Sequence, residues 1–243
     1  MASTSEIGHA KNVANFQDLI EFVTAYGATY NPSKNSLKLP QLIALKASAD
    51  ATLADVITKN TNYNNKVNER ITAFSGLKSL STRLVNALQT TDATTETIGN
   101  AKTFNRKMQG KKASSSQTPT DPNTPAPNTI STSQQSYTQQ IQHLTGLISV
   151  LESEPSYTPN ETDLQVATLQ TKIADLTAKN TAVATAYASI SNSRIARNET
   201  LYSSSTGLVE TANEVKKYIK SVFGASSPQF AQVKGIQFKI IKN

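Results

Sequence analysis

The apolar positions of this chain form two long stripes. From Leu42, alternating steps of three and four residues reach Lys46, Ala49, Leu53, Val56, Asn60, Tyr63, Val67, Arg70, Phe74, Leu77, Ser81, Leu84 and Leu88. Most of these are apolar, and side chains so spaced share one helix face, as in a coiled-coil seam. The run has no proline after Pro40 and only one glycine, Gly76. The pattern therefore predicts one helix from residue 42 to about 90. Residues 60–65, Asn-Thr-Asn-Tyr-Asn-Asn, are poor helix formers and also fit a tight turn. The stripe keeps its phase across them, which a turn has no reason to do, so the continuous helix is preferred.

Shorter elements flank this run. Phe16, Leu19, Ile20 and Val23 predict an amphipathic helix over residues 13–26, closed by Gly27. Residues 1–12 are small and polar and are expected to be flexible. Tyr30-Asn31-Pro32-Ser33 reads as a turn, with Ser36 as a helix cap and Pro40 in the first turn of the long helix. A helix over 94–109 follows, capped by Asp92 and stopped by Gly110. Residues 111–133, rich in Pro, Ser and Thr, read as a linker.

The second stripe repeats the first at an offset of 127 residues, which carries Tyr30 to Tyr157, Pro32 to Pro159, Leu42 to Leu169, Asn65 to Asn192 and Arg70 to Arg197. A helix over 134–151, a turn at Tyr157-Thr158-Pro159-Asn160 and a second long helix ending near Phe223-Gly224 are expected. A short helix at 227–233 and a tail at 236–241, strand or docked extended segment, complete the chain. The expected fold is all-α: an elongated helical bundle of two internally duplicated units, residues 13–110 and 134–243, joined by the 111–133 linker. Each unit would be a long central helix with shorter helices packed antiparallel against it, and the two long helices would pack on each other.

Gly8-His9-Ala10-Lys11-Asn12-Val13-Ala14-Asn15-Phe16, the two Tyr-Xaa-Pro turns, Asn105-Arg106-Lys107 and Ser227-Pro228-Gln229-Phe230 resemble a bacterial family of duplicated all-helical proteins that is uncharacterised. The resemblance spans nearly the whole chain. It implies a shared fold and a bacterial origin, and it brings no activity, ligand or catalytic residue.

Composition narrows the chemistry. The chain of 243 residues has no cysteine, so disulfides and thiolate-ligated metals are excluded. Of its two histidines, His9 falls in the segment expected to be flexible and His143 has no second His or carboxylate at helical spacing. Neither a Gly-x-Ser-x-Gly elbow nor a phosphate-binding Gly-rich loop is present. The acid pairs Glu152/Glu154 and Glu161/Asp163 sit beside turns, where they suit solvated caps. No enzyme activity, cofactor or metal is expected. No apolar run approaches the roughly 18 residues of a membrane span, and no secretory signal is visible, so a cytoplasmic location is expected.

Charge supplies the remaining candidates. The formal net charge is +7, and residues 1–112 hold 14 of the 24 Lys and Arg against 8 of the 17 Asp and Glu. Lys102, Arg106, Lys107, Lys111 and Lys112 cluster at the end of the first half. Lys216, Lys217, Lys220, Lys234, Lys239 and Lys242 cluster at the end of the second. Arg70, Arg194 and Arg197 fall on the stripes, where they either snorkel or pair with Glu69, Glu199 or a partner's acid to fix helix register. The reading is a structural or scaffold protein that presents helical surface and self-associates or binds another helical protein. A basic nucleic-acid-associated protein is the alternative, and a membrane-active helical protein ranks below it.

Overall fold

In a computed structural model the described residues are 8–110 and 135–241, and they form an all-helical structure with no strand among them. In chain order the helices are α1 (His9–Ala25), α2 (Leu39–Phe74), α3 (Leu77–Gln89), α4 (Thr95–Gln109), α5 (Tyr137–Glu152), α6 (Val166–Tyr202), α7 (Leu208–Phe223) and α8 (Pro228–Lys234). Residues 60–65 are helical, inside α2. The expected flexible start and the linker fall largely outside the described residues. Of the start, residues 9–12 already belong to α1.

Two expectations about helix length are corrected. The first stripe is not one helix: it breaks at Ser75-Gly76, where Gly76 takes a left-handed conformation (φ 80°) that other residues adopt only at a cost. The second breaks likewise, with α6 ending at Tyr202 and α7 opening at Leu208. The stripe positions survive the first break. Leu77, Ser81, Leu84 and Leu88 on α3 are all buried, and none of the polar stripe positions Lys46, Asn60 and Arg70 on α2 is fully exposed. On α6 the phase shifts slightly, so that Ala186 and Ser193 are buried while Tyr187 and Arg194 face water.

Local details follow from capping chemistry. Thr94, not Asp92, caps α4, its hydroxyl accepting the Thr97 N–H at 3.2 Å. Ser136 and Ser227 cap α5 and α8 in the same way. The two Tyr-Xaa-Pro turns share one geometry. Tyr30 donates its hydroxyl to the Leu37 carbonyl at 2.7 Å, and Tyr157 donates to the Leu164 carbonyl at 2.9 Å, all four residues buried. A single 3-10 turn follows each, at Asn35–Leu37 and Thr162–Leu164.

The chain packs as two compact units that cut across the sequence halves. The terminal unit comprises Met1–Tyr63 and Ala186–Asn243, and the middle unit comprises Asn64–Thr185. In the terminal unit α1 packs on α7 and α8. Val13, Phe16, Leu19, Ile20 and Val23 of α1 meet Leu208, Ala212, Val215 and Ile219 of α7, spaced four, three and four residues apart. In the middle unit α5 packs on α3 and α4, joining Leu144, Leu147 and Leu151 to Leu77, Leu84 and Met108. The short helices α1, α4 and α5 thus find their main short-helix partners in the other half of the sequence, while α3 packs chiefly on α4 and α8 on α7 within their own halves.

The tail after α8 is extended and docked. Asn12 of α1 donates its amide to the Lys239 carbonyl at 2.7 Å and accepts the Lys239 N–H at 3.0 Å. Asn15 donates to the Gln237 carbonyl at 2.7 Å, and Phe238 meets Phe16 edge-on.

Candidate interaction sites on the seams and basic faces

The polar stripe position Arg70 lies near the end of α2 in the middle unit. Its Nη1 donates to Asn180 Oδ1 of α6 at 3.1 Å, and its Cζ lies 4.1 Å from the centroid of the Tyr137 ring at the start of α5. Tyr137 in turn stands edge-on to Phe74, with centroids 4.7 Å apart. A guanidinium over an aromatic face gains from the ring quadrupole, and the planar group stacks where an ammonium cannot. The Nε of Arg70 is buried, with no hydrogen-bond partner among the described residues.

The expected acid partner of Arg70 is engaged elsewhere. Glu69 accepts from Lys66 at 2.8 Å and from Lys179 of α6 at 3.2 Å, and those lysines, Lys66 foremost, hold its carboxyl below the usual range. Consecutive helix residues point about 100° apart, so Glu69 and Arg70 reach different neighbours. These exposed ion pairs add little stability. They help set which part of α6 lies beside α2.

Arg197 is only 6% exposed, in the terminal unit. Its Nε and Nη2 both donate to Asn198 Oδ1, at 3.1 and 2.8 Å, and no carboxylate pairs with it among the described residues. Pairing with Glu199, one of the readings left open alongside snorkelling, is not among these contacts. Burial lowers its pKa, Arg194 adds to that, and Tyr202 opposes it. Arg194 is exposed. The long helices run antiparallel in this unit, since Asp55 accepts from Ser193 at 2.6 Å while Tyr63 meets Tyr187 at 5.9 Å between centroids.

The basic faces separate into two kinds. Lys102, Arg106 and Lys107 are exposed on the C-terminal part of α4, where cations complement the helix dipole, and Lys107 lies 5.7 Å from the Phe104 ring centroid. Lys111 and Lys112 lie outside the described residues. Lys216, Lys217, Lys220 and Lys234 are brought together around a groove of about 400 Å³ between α7 and α8, beside Phe230. Lys216 is half-buried and donates to the carbonyls of Lys234 at 3.1 Å and Ile236 at 2.8 Å, so it closes the end of α8. Burial lowers its pKa.

His9 is not in a loose tail: it opens α1 with Nδ1 2.7 Å from the Tyr202 hydroxyl, while His143 is buried on α5. Among the described residues no three His, Asp or Glu side chains gather as a metal site. No helix among them is long and apolar enough to cross a membrane. Three features escaped the sequence reading: the Asn12 and Asn15 clamp on the tail, the Tyr30 and Tyr157 hydroxyl bonds, and Gly146, against which the Phe104 ring lies. An Asn beside an apolar stripe was the one available cue. No known protein family, curated protein or solved structure matches the chain.

Proposed function

We propose that this protein is a non-catalytic helical scaffold, built from two duplicated halves, that self-associates through exposed apolar positions of its long helices. The observation that carries the reading is on α2. Ile43 and Ile57, both in the terminal unit, stand fourteen residues apart and are 52% and 68% exposed. Fourteen residues are close to four helical turns, so such side chains share a face. Fully burying an Ile-sized side chain is worth about 1.5–3 kcal/mol, so covering the exposed half to two thirds of each would contribute about 1–2 kcal/mol. The neighbouring charges are paired within the helix, Lys46 with Asp50 and Lys59 with Asp55, so little unpaired charge opposes a second copy.

The duplication draws support from local geometry. α1 ends at Ala25 and α5 at Glu152, and α2 begins at Leu39 and α6 at Val166. Both pairs, and both tyrosine-closed turns, stand at the same offset of 127 that relates the stripes.

Light scattering across a concentration series tests self-association. The scaffold reading expects mass to rise with concentration in the natural chain. Ile43→Lys with Ile57→Lys should abolish that rise and leave the melting temperature nearly unchanged. A monomer at every concentration would remove the reading.

The lysine groove on α7 and α8 supports a second reading, nucleic-acid association. Lysines on phosphates give affinity that falls steeply with salt. Binding of single-stranded DNA at two salt concentrations, in the natural chain and in Lys217→Glu/Lys220→Glu, tests it. Equal, salt-independent binding by both would exclude that surface.

A further inference from the structure

Neither sequence half owns a core. In the terminal unit the cluster joins Val13, Phe16 and Leu19 of the first half to Leu208, Val215 and Ile219 of the second. In the middle unit it joins Leu77, Leu84 and Met108 of the first half to Leu144, Leu151 and Leu176 of the second. Each half therefore presents two surfaces that the other half covers. Every further copy of the chain carries the same complementary surfaces.

The covalent connection between the halves permits a choice of partner. Gln135 donates its side-chain amide to the Lys107 carbonyl at 2.7 Å and lies against Gly110, so the two ends of the connection are neighbours. Residues 111–134 are far more chain than that gap needs. A chain of this many residues can reach across at most about 80 Å. Such slack allows the second half to pair within its own chain or with another copy, without strain in either case.

We propose that the protein's partner is a second copy bound by exchange of halves: residues 8–110 of each chain pair with residues 135–241 of the other, rebuilding both cores across two chains. The interaction surfaces are the α1 face that receives α7 and α8, and the α3–α4 face that receives α5. Competition is set by mass action. A covalent connection of this length sets an effective concentration on the order of 1 mM, so dilute chains close on themselves and crowded ones exchange. Both cores must open for a folded chain to switch, so the choice is made during folding and then persists. This route goes beyond association through the exposed isoleucines and does not rest on it.

The absence of cysteine makes the test clean. Asp55 and Ser193 touch across α2 and α6, from opposite halves. Full-length Asp55→Cys and Ser193→Cys chains, carrying different tags, are unfolded together, refolded and treated with a short bis-maleimide. Exchange predicts a cross-linked heterodimer, with a yield several tens of times higher after refolding at ~0.5 mM than at ~5 μM, following the competition with the tether. The same variants folded separately and then mixed should give almost none, which distinguishes exchange from surface association. The double variant, cross-linked within one chain at low concentration, confirms that the two positions meet. An intramolecular cross-link in the double variant, with no concentration-dependent heterodimer from the singles, overturns the proposal. Loss of the intramolecular product overturns the pairing on which it stands. The Ile43→Lys/Ile57→Lys change should leave the heterodimer yield unaltered, so the two association routes fail separately.

Discussion

The Arg70 guanidinium lies 4.1 Å from the centroid of the Tyr137 ring while its Nη1 holds Asn180. A cation on the long-helix stripe is thus fixed by a ring and an amide, with no carboxylate in the contact. That choice avoids part of the cost of a buried ion pair and keeps geometric selectivity. Arg70→Lys keeps the charge and loses the planar stack, and Tyr137→Leu keeps apolar volume and loses the ring. Each should cost about 1 kcal/mol. In a denaturation double-mutant cycle the pair should lose less than the sum of the two. Strict additivity would show that the stack contributes nothing.

Tyr30 and Tyr157 make the protein sensitive to alkali. Burial pushes the Tyr157 hydroxyl up from 10.0 to about 12, with Glu161 and Asp163 adding to it. Burial, then Tyr218, moves Tyr30 in the same direction. A raised folded-state pKa means that the folded chain keeps protons the unfolded chain has released. The stabilisation is complete below pH about 10 and is lost as pH rises toward 12. Chemical denaturation between pH 9 and 12 should show this decline, and Tyr157→Phe should flatten it. At pH 7 the same substitution leaves the buried Leu164 carbonyl without its donor, at a cost of about 1–2 kcal/mol.

Gly146 sets how closely α4 approaches α5. A Cβ there would fall inside the van der Waals surface of the Phe104 ring, so the ring must shift to admit it. Gly146→Ala should destabilise by about 1–3 kcal/mol despite the better helix propensity of alanine. Gly146→Ala with Phe104→Leu should recover part of the loss, as read by thermal unfolding. At Gly99, also helical and in open space, Gly→Ala should be neutral or stabilising.

The all-helical class and the buried face of α2 and α3 were legible because helical periodicity is a local property of sequence. Asn60, Arg70 and Ser81 kept their stripe positions even where the residue type argued against burial. The break at Gly76 was not legible, since one glycine inside a periodic run leaves the phase intact. Pairing between halves was hidden for a different reason: α1 has the same apolar stripe whether it meets α2 or α7. Sequence proximity to Glu69 and Glu199 could not identify the neighbours of Arg70 and Arg197, because it says nothing about direction around the helix. An amide, through Asn180 and Asn198, serves both arginines.

The Asn12 clamp leads to a prediction about connectivity. Asn12 engages both backbone groups of Lys239, and Asn15 engages Gln237, so residues near the two ends of the described chain are neighbours on α1. Gly110 and Gln135 are likewise neighbours at the ends of the 111–134 segment. If the halves are equivalent, that segment and a short Gly/Ser joint between residues 241 and 8 are interchangeable connections. A chain joined there and opened between residues 120 and 121 should fold to the same helix content. It should melt cooperatively within a few degrees of the natural chain, because no core contact is cut. Asn12→Ala in the natural order should release the tail, seen as faster amide exchange at Lys239, with little change in global stability. In the permuted chain the joint would hold the tail in place, so the same substitution should have a smaller effect on that exchange. Equal acceleration in both chains would mean that the clamp, and not chain connectivity, is all that holds residues 236–241 on α1.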